Sequence, residues 1–241
     1  MALPKLSTVV YDLELPLSKK KIQFRPFLVK EQKALLMAME SDDKQAIQSN
    51  IKNILKNCTL TSGINVDKLP VVDIEYYFLN LRARSVGEVV ENKYRCDHVV
   101  DEKNCGNIMQ TSVNLLDLKV EGLVEGNDII QLTPQISMKL KYPEFSVVER
   151  VSNITEASQI AFEMVVDSIE YIYDGEQFYH AHEVDRKELM EFVESLDTRQ
   201  FSMIEEFFNS IPKIKKKIEL KCSKCGHDHS FEVEGLESFF G

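Results

Sequence analysis

Residues 93–115 read KYRCDHVVDEKNCGNIMQTSVNL, and residues 218–236 read IELKCSKCGHDHSFEVEGL. Both stretches follow the same order: a strand-like segment, a cysteine, a loop, a Cys-Gly pair and a second strand-like segment. A glycine after the second cysteine suits a tight turn that directs backbone N–H groups toward a thiolate sulfur. Two such hairpins facing each other would present four thiolates in a tetrahedral arrangement, as in a zinc ribbon.

The sequence therefore predicts one zinc ion held by four cysteines, which are Cys96, Cys105, Cys222 and Cys225. The ion would be structural, because four protein ligands leave no coordination position for water or substrate. Plain buried or surface thiols are an alternative interpretation. A thioredoxin-like redox pair at residues 222–225 is another, although CSKC precedes a strand here rather than opening a helix. Disulfides are the least favoured interpretation in a reducing compartment.

The histidines are weaker candidates for metal ligands. His98, His227 and His229 lie beside the cysteines in the sequence and could replace one of them, but we interpret them as exposed loop residues. His180 and His182 would share one face of a strand, and no third ligand accompanies them. We interpret this second pair as structural or solvent-facing.

Outward from the first cysteine segment, the N-terminal third of the chain is predicted to be a β-hairpin followed by three helices. Alternating apolar residues on either side of Ser18-Lys19-Lys20 indicate the hairpin. Helical patterns follow at residues 29–41, 47–58 and 71–85. The third helix is apolar around most of its girth, which predicts burial against several neighbours. Cys58 falls on the apolar stripe of the second helix, and we interpret it as a small core residue.

The rest of the chain alternates between the two periodicities. Period-two patterns predict strands at residues 89–95, 109–116, 128–132, 135–140 and 178–184. From Thr155 an apolar stripe that includes Ile160, Ile169 and Ile172 predicts one helix, which would end at Gly175. Two more helices are predicted at residues 189–196 and 201–211.

We therefore expect an α+β protein in which helices pack on short antiparallel β-hairpins, together with a zinc-ribbon-like module of four cysteines. No low-complexity linker divides the chain. Four segments are predicted, which together form one compact unit. They are residues 1–87 (N-terminal hairpin plus helices), 88–125 (first cysteine hairpin), 126–212 (second hairpin plus helical region) and 213–241 (C-terminal CxxC hairpin).

Composition and motifs argue against several classes of function. The chain has 29 Lys plus Arg against 39 Asp plus Glu, a formal charge of −10, so a globally basic nucleic-acid binder is not expected. The dinucleotide, P-loop, serine hydrolase and zinc protease motifs are all missing from the sequence. No apolar run approaches the roughly 20 residues that cross a membrane, and no secretory signal is visible. We expect a soluble intracellular protein that is not an enzyme.

One basic stretch stands out from this acidic background. It could contact phosphate, but we favour a solvated strand edge that lysines protect from pairing. The stretch contains Lys213, Lys215, Lys216, Lys217, Lys221 and Lys224.

Residues 24–41, FRPFLVKEQKALLMAMES, preceded by LPKL and by YDLELPLSKKK, resemble the T4-type bacteriophage baseplate protein family. The resemblance implies a role in assembling the central hub of a contractile tail, as an assembly factor or as a hub component. Other baseplate hub proteins would be its partners. It would act in the host cytoplasm, and as a component it would also be found in the tail baseplate of the virion. The resemblance transfers no catalytic residue.

Two further hypotheses stay open from the sequence. One is a zinc-dependent nucleic-acid-binding or regulatory adaptor that uses the lysines near the ribbon. The other is a thiol-disulfide redox protein that uses Cys222 and Cys225. The apolar residues from Phe24 to Met39 are also open to two interpretations, as core or as an exposed patch that recognises another hub component.

Overall fold

The structure is a computed structural model, and it describes residues 6–41, 43–122, 126–152 and 154–235. Seven α-helices and thirteen short β-strands lie in these ranges, and all pairs of strands are antiparallel, so the predicted α+β class is confirmed. Residues 1–5 and 236–241, the ends of the first and last predicted segments, lie outside the described residues. Among the helices described, none combines the length and the apolar character that crossing a membrane requires.

The helices are α1 (Val29–Glu40), α2 (Lys44–Cys58), α3 (Val71–Ser85), α4 (Phe145–Val151), α5 (Ala157–Ser168), α6 (Arg186–Glu194) and α7 (Thr198–Asn209). The strands are β1 (Tyr11–Glu14), β2 (Lys21–Phe24), β3 (Val89–Arg95), β4 (Val99–Val100), β5 (Lys103–Asn104), β6 (Ile108–Asn114), β7 (Val120–Glu121), β8 (Ile129–Gln131), β9 (Ser137–Leu140), β10 (Ile169–Tyr173), β11 (Phe178–His180), β12 (Lys213–Lys221) and β13 (Asp228–Glu234). The sheets have the orders β1-β2, β11-β10-β9-β8, β13-β12-β7, β3-β6 and β4-β5.

The N-terminal hairpin, β1 and β2, packs on the three helices that follow it, as the sequence predicts. Tyr11 on β1 pairs with Phe24 on β2. At the turn between the strands, the buried carboxylate of Asp73 on α3 accepts hydrogen bonds from the backbone N–H groups of Leu17 (2.8 Å) and Ser18 (2.9 Å). This long-range contact satisfies turn donors that would otherwise need water, and it fixes the hairpin on the helices.

Beneath the hairpin lies a set of buried side chains that we call the helical core. Its members are Leu15, Ile22, Phe24, Phe27, Leu35, Ile51, Ile54, Leu55, Cys58, Val66, Leu69, Ile74, Tyr77, Phe78, Leu81 and Phe145. The rings of Phe24 and Tyr77 meet edge to face at 5.4 Å, a favoured aromatic geometry.

Helix α3 lies between two cores, which explains its nearly continuous apolar sequence. One face contributes Tyr77 and Phe78 to the helical core. The other contributes Val72, Leu79 and Ala83 to a second core, shared with β3, β6, β12 and β13. The prediction that this helix is buried against several neighbours is confirmed.

A third core lies between the four-stranded sheet and helices α5, α6 and α7. The structure corrects the prediction of one helix through Ile172: α5 ends at Ser168, and Ile169 and Ile172 belong to β10. The strand forms there because it pairs with β9, where Ile172 lies opposite Met138. The predicted strand at residues 178–184 is also shorter, and ends at His180. The division into four segments stays a prediction.

Candidate metal centre

The two cysteine segments form two antiparallel hairpins, as the sequence predicts. In the first, β3 pairs with β6 over seven residues, from Val89 opposite Asn114 to Arg95 opposite Ile108. In the second, β12 pairs with β13 over seven residues that end at Lys221. The cysteines lie beyond the last pair of each ladder, so both hairpins present them at one end.

The first cysteine turn is closed by backbone hydrogen bonds. The N–H of Cys96 donates to the carbonyl of Asn107 at 2.8 Å, and the N–H of Gly106 donates to the carbonyl of Cys96 at 3.0 Å. Gly106 has φ +66°, a conformation that costs other residues free energy. Within the loop, the N–H of Cys105 donates to the carbonyl of His98 at 2.8 Å.

The second cysteine turn repeats this pattern. The N–H of Cys222 donates to the carbonyl of His227, and the N–H of Gly226 donates to the carbonyl of Cys222, both at 2.9 Å. Gly226 has φ +73°. The glycine after the second cysteine therefore closes a tight turn in the same way in both hairpins, and the tight turn is what the sequence predicts.

The four sulfur atoms converge. The Sγ atoms of Cys96 and Cys225 are 3.6 Å apart, and those of Cys105 and Cys222 are 3.8 Å apart. All four lie within 4.8 Å of one another. A tetrahedral zinc site with bonds of about 2.3 Å separates its sulfurs by about 3.8 Å. Each short distance joins one hairpin to the other, so an ion bound here would connect the two hairpins.

Burial and backbone donors act in opposite directions on these thiols. Burial raises the pKa of Cys96 to about 12. Backbone N–H groups, first that of Cys225 and then that of Lys224, donate to the sulfur of Cys222 and lower its pKa to about 6. Four thiolates at these distances would repel one another strongly unless a cation lay among them. The donor set and the spacing thus suit a soft divalent metal such as zinc.

One histidine lies against the sulfur cluster. His229 is buried, and its Nε2 lies 3.1 Å from the sulfur of Cys96. Its Nδ1 lies 3.6 Å from a carboxylate oxygen of Asp97, and its ring stacks on Phe231. The interpretation of His229 as an exposed loop residue is therefore wrong, because His229 belongs to β13 and packs against the sulfur of Cys96 and the ring of Phe231. Its place beside the sulfurs fits a residue that orients a ligand.

Two polar side chains that the sequence analysis did not assign to the metal site connect the two cysteine hairpins. The amide Nδ2 of Asn107, in the first hairpin, donates to the sulfur of Cys222 (3.4 Å) and to the hydroxyl of Ser223 (3.2 Å). In return, the ammonium of Lys224 donates to the carbonyl of Cys105 at 3.0 Å. The sequence feature that could have identified Asn107 is its position directly after the Cys-Gly pair.

The remaining histidines take no part in the convergent group. His227 is exposed, as expected, and its ring stacks at 4.1 Å on that of His98. His98 is half-buried rather than exposed as expected, because this ring contact covers part of it. The rings of His180 and His182 are 5.6 Å apart at the end of β11. Among the described residues, the four cysteines form the only group of three or more that could hold a metal ion.

The basic stretch on β12 is largely neutralised by neighbouring acids. Three of its lysines form ion pairs within 3.2 Å, and a fourth lies 3.9 Å from a carboxylate. The pairs are Lys213–Glu234, Lys215–Glu232, Lys217–Glu219 and Lys221–Asp228. This arrangement favours the interpretation of a solvated strand over that of a phosphate-binding surface.

The fifth cysteine lies apart from the cluster. Cys58 is buried in the helical core, its sulfur accepts a hydrogen bond from the Arg25 guanidinium at 3.5 Å, and burial raises its pKa to about 11. The interpretation of Cys58 as a core residue is confirmed.

Comparison with known proteins identifies a family and a relative to which the chain is similar. The family model described as T4 bacteriophage base plate protein matches residues 8–241. The chain is also 25% identical, over 231 residues, to the baseplate hub assembly protein gp26 of Enterobacteria phage T4, and this alignment covers 95% of the chain and 97% of that relative. No solved structure matches the chain.

Proposed function

The chain belongs to the T4 bacteriophage base plate protein family, and on that premise we propose that it is a non-enzymatic protein of the phage tail baseplate hub that binds other baseplate proteins. The observation that carries this proposal is the extent of the similarity, which spans residues 8–241 and nearly the whole length of a relative named as a hub assembly protein. The similarity therefore includes both cysteine hairpins as well as the N-terminal region.

A non-enzymatic role agrees with the chemistry of the described residues. The cysteine sulfurs converge on one another instead of presenting a single exposed nucleophile to solvent. The sequence contains none of the catalytic motifs considered above. The work of such a protein is binding, and its surfaces rather than a catalytic cleft would determine its partners.

We also propose that Cys96, Cys105, Cys222 and Cys225 hold one structural zinc ion. The support is the sulfur spacing, the matching backbone turns and the thiolate-rich donor set. Zinc would connect β3 and β6 to β12 and β13, and the nearest cysteines of the two hairpins, Cys105 and Cys222, are 117 residues apart in the chain. It would thereby close a long loop and couple metal binding to folding.

The two other hypotheses gain less support from the structure. A phosphate-binding adaptor would need accessible lysines, yet four lysines of the basic stretch lie beside carboxylates. A redox protein would need an accessible nucleophilic thiol, yet the sulfur of Cys222 is buried and surrounded by three other sulfurs.

Deleting the coding gene from the phage tests the hub role. We expect infected cells to assemble heads but few complete tails, as counted by electron microscopy, and we expect the wild-type gene supplied in trans to restore tails. Normal tail numbers after deletion would contradict the proposal. Mass spectrometry of mature particles and of infected-cell lysate then separates the two forms of the role. An assembly factor occurs only in the host cytoplasm, whereas a hub component also occurs in particles.

A further inference from the structure

Helix α1 carries apolar side chains on two opposite faces. The inner face contributes the buried residues Leu35 and Ala38. On the outer face, Val29, Leu36 and Met37 are 80%, 51% and 59% exposed. At about 100° per residue, Val29 and Leu36 differ by about 20° around the helix axis, and Met37 lies within about 80° of Val29. The three therefore form one strip on the side away from the core.

Helix α3 shows how a helix with apolar side chains on opposite faces is ordinarily buried. It is also apolar around most of its girth, but residues on both of its faces, such as Tyr77 and Leu79, are buried in different cores. A helix that is apolar all round is ordinarily buried all round. Only one face of α1 is buried by the described part of the chain, so its outer strip has the composition of a surface that another protein covers.

The strip continues onto neighbouring residues. Leu28, just before α1, is 41% exposed, and Val86, just after α3, is 54% exposed. The backbone N–H of Phe27 donates to the hydroxyl of Ser85 at 3.0 Å, which holds these two helix ends together. The exposed apolar residues at the start of α1 and the end of α3 thus belong to one region of the surface.

The exposed charges along the N-terminal half of this strip have the opposite sign to the net charge of the protein. Lys30 and Lys33 are exposed on α1. The acid between them, Glu31, is buried and forms an ion pair with Arg25 at 2.8 Å. Glu40, the last residue of the helix, is exposed one turn after Leu36 and gives the C-terminal end of the strip a negative charge. A protein with a formal charge of −10 therefore presents two lysines beside an exposed apolar strip.

We propose that the outer face of α1, centred on Val29, Leu36 and Met37, binds an apolar segment of another baseplate protein that is flanked by acidic side chains. The inference rests on the proposed function and adds the site and the chemistry of the partner. The apolar strip would supply the buried contact, and Lys30 and Lys33 would select acidic flanks.

The test uses the purified full-length chain and each baseplate protein encoded in the same genome, expressed singly and titrated by calorimetry. For the protein that binds, we expect Leu36→Asp to weaken binding at least about tenfold. Lys33→Glu should weaken it several-fold and reduce its dependence on salt. The matched control is Ile129→Asp, which alters an equally exposed apolar residue on β8 (53%) and should change affinity less than about twofold. Thermal unfolding checks that each variant folds.

Different results of this titration would contradict the proposed binding site, the proposed partner or the proposed function. If a baseplate protein binds the wild type and Leu36→Asp binds it equally well, the site is wrong while the hub role stands. If the wild type is a dimer that Leu36→Asp converts to a monomer, the strip binds a second copy and the proposed partner is wrong. If no baseplate protein binds at about 100 μM, the proposed function fails and the inference fails with it.

Discussion

The helical core and the cysteine cluster differ in the kind of side chains that they bring together. Among the described residues, the helical core has sixteen buried members, which pack around aromatic rings such as Phe24 and Tyr77. At the cluster, the buried residues that the structure describes are Cys96, Cys105, Cys222 and Met109. Apolar burial at about 25 cal/mol per Å² can stabilise the first region by itself. The cluster itself has little apolar surface, and the second core supports the other end of both hairpins, so a bound ion would add to that support.

The strands on either side of the cluster also indicate that this region needs support besides its own packing. On β13 every second residue is buried or half-buried and the others are exposed and polar, and on β3 Val90 is the one buried residue. Hairpins of two strands are marginally stable in water without further support. We expect the first region to fold on its own core and the cysteine ends of the two hairpins to depend also on a bound ion. Substitutions in the two regions and at their junction test this difference.

The largest effect is expected from Cys222→Ser. The variant loses a thiolate from the centre, so bound zinc should fall from about one per chain to near zero. Hydrogen exchange should speed up in β12 and β13 and stay slow in α2 and α3, because the helical core does not depend on the ion. Metal analysis and exchange mass spectrometry measure these two results.

Cys58→Ser is the matched control, since it removes a thiol from the helical core instead. Its zinc content should equal that of the wild type. Loss of zinc in this variant, or retention of zinc in Cys222→Ser, would show that the proposed ligand set is wrong.

The second-largest effect is expected in the helical core. Phe78→Ala removes a fully buried ring from the helical core and should lower the free energy of unfolding by about 3–5 kcal/mol. Zinc content in the folded protein should not change. Chemical denaturation and metal analysis test this prediction, and a variant that folds but loses its metal would show that the two regions are not independent.

A smaller effect should appear with pH at the junction of the regions. Glu75 on α3 lies in a mainly apolar cavity of about 230 Å³, near Lys213 and Glu234, and burial raises its pKa from 4.5 to about 7. Between these values the folded chain keeps a proton that the unfolded chain has released. The free energy of unfolding should therefore fall as pH rises from about 4.5 to 7, by at most about 3 kcal/mol.

Glu75→Gln should remove this part of the pH dependence, because the amide does not titrate. Urea denaturation at pH 5 and pH 7 provides the measurement for both proteins. An equal loss of stability in the variant and in the wild type would mean that other groups cause the pH dependence.

The smallest effect concerns the contact between the two hairpins. Asn107→Ala removes the amide that donates to the sulfur of Cys222, and it should lower zinc affinity about tenfold, or about 1.4 kcal/mol. Asn104→Ala changes an exposed asparagine of the same loop and should have no effect. Competition with a chromophoric chelator compares the two, and equal affinities would remove Asn107 from the site.

How much the sequence predicts depends on the range of the contacts. The extent of α3 and the ligand candidates Cys96 and Cys222 follow from local patterns, that is, apolar periodicity and the Cys-Gly turn. The end of α5 does not, because Ile169 and Ile172 suit a helix equally well until β9 pairs with them. The contacts of His229 and Asn107 with the sulfurs cannot be predicted from local patterns for the same reason. Each of these side chains contacts a cysteine more than 100 residues away in the sequence.

The most direct test of the account is zinc analysis together with X-ray absorption on the wild-type chain, purified without chelators and without a metal-affinity tag. The account predicts one zinc ion per chain, coordinated by four sulfurs at about 2.3 Å. A zinc content near zero, or a first coordination shell that contains nitrogen or oxygen in place of a sulfur, would contradict it.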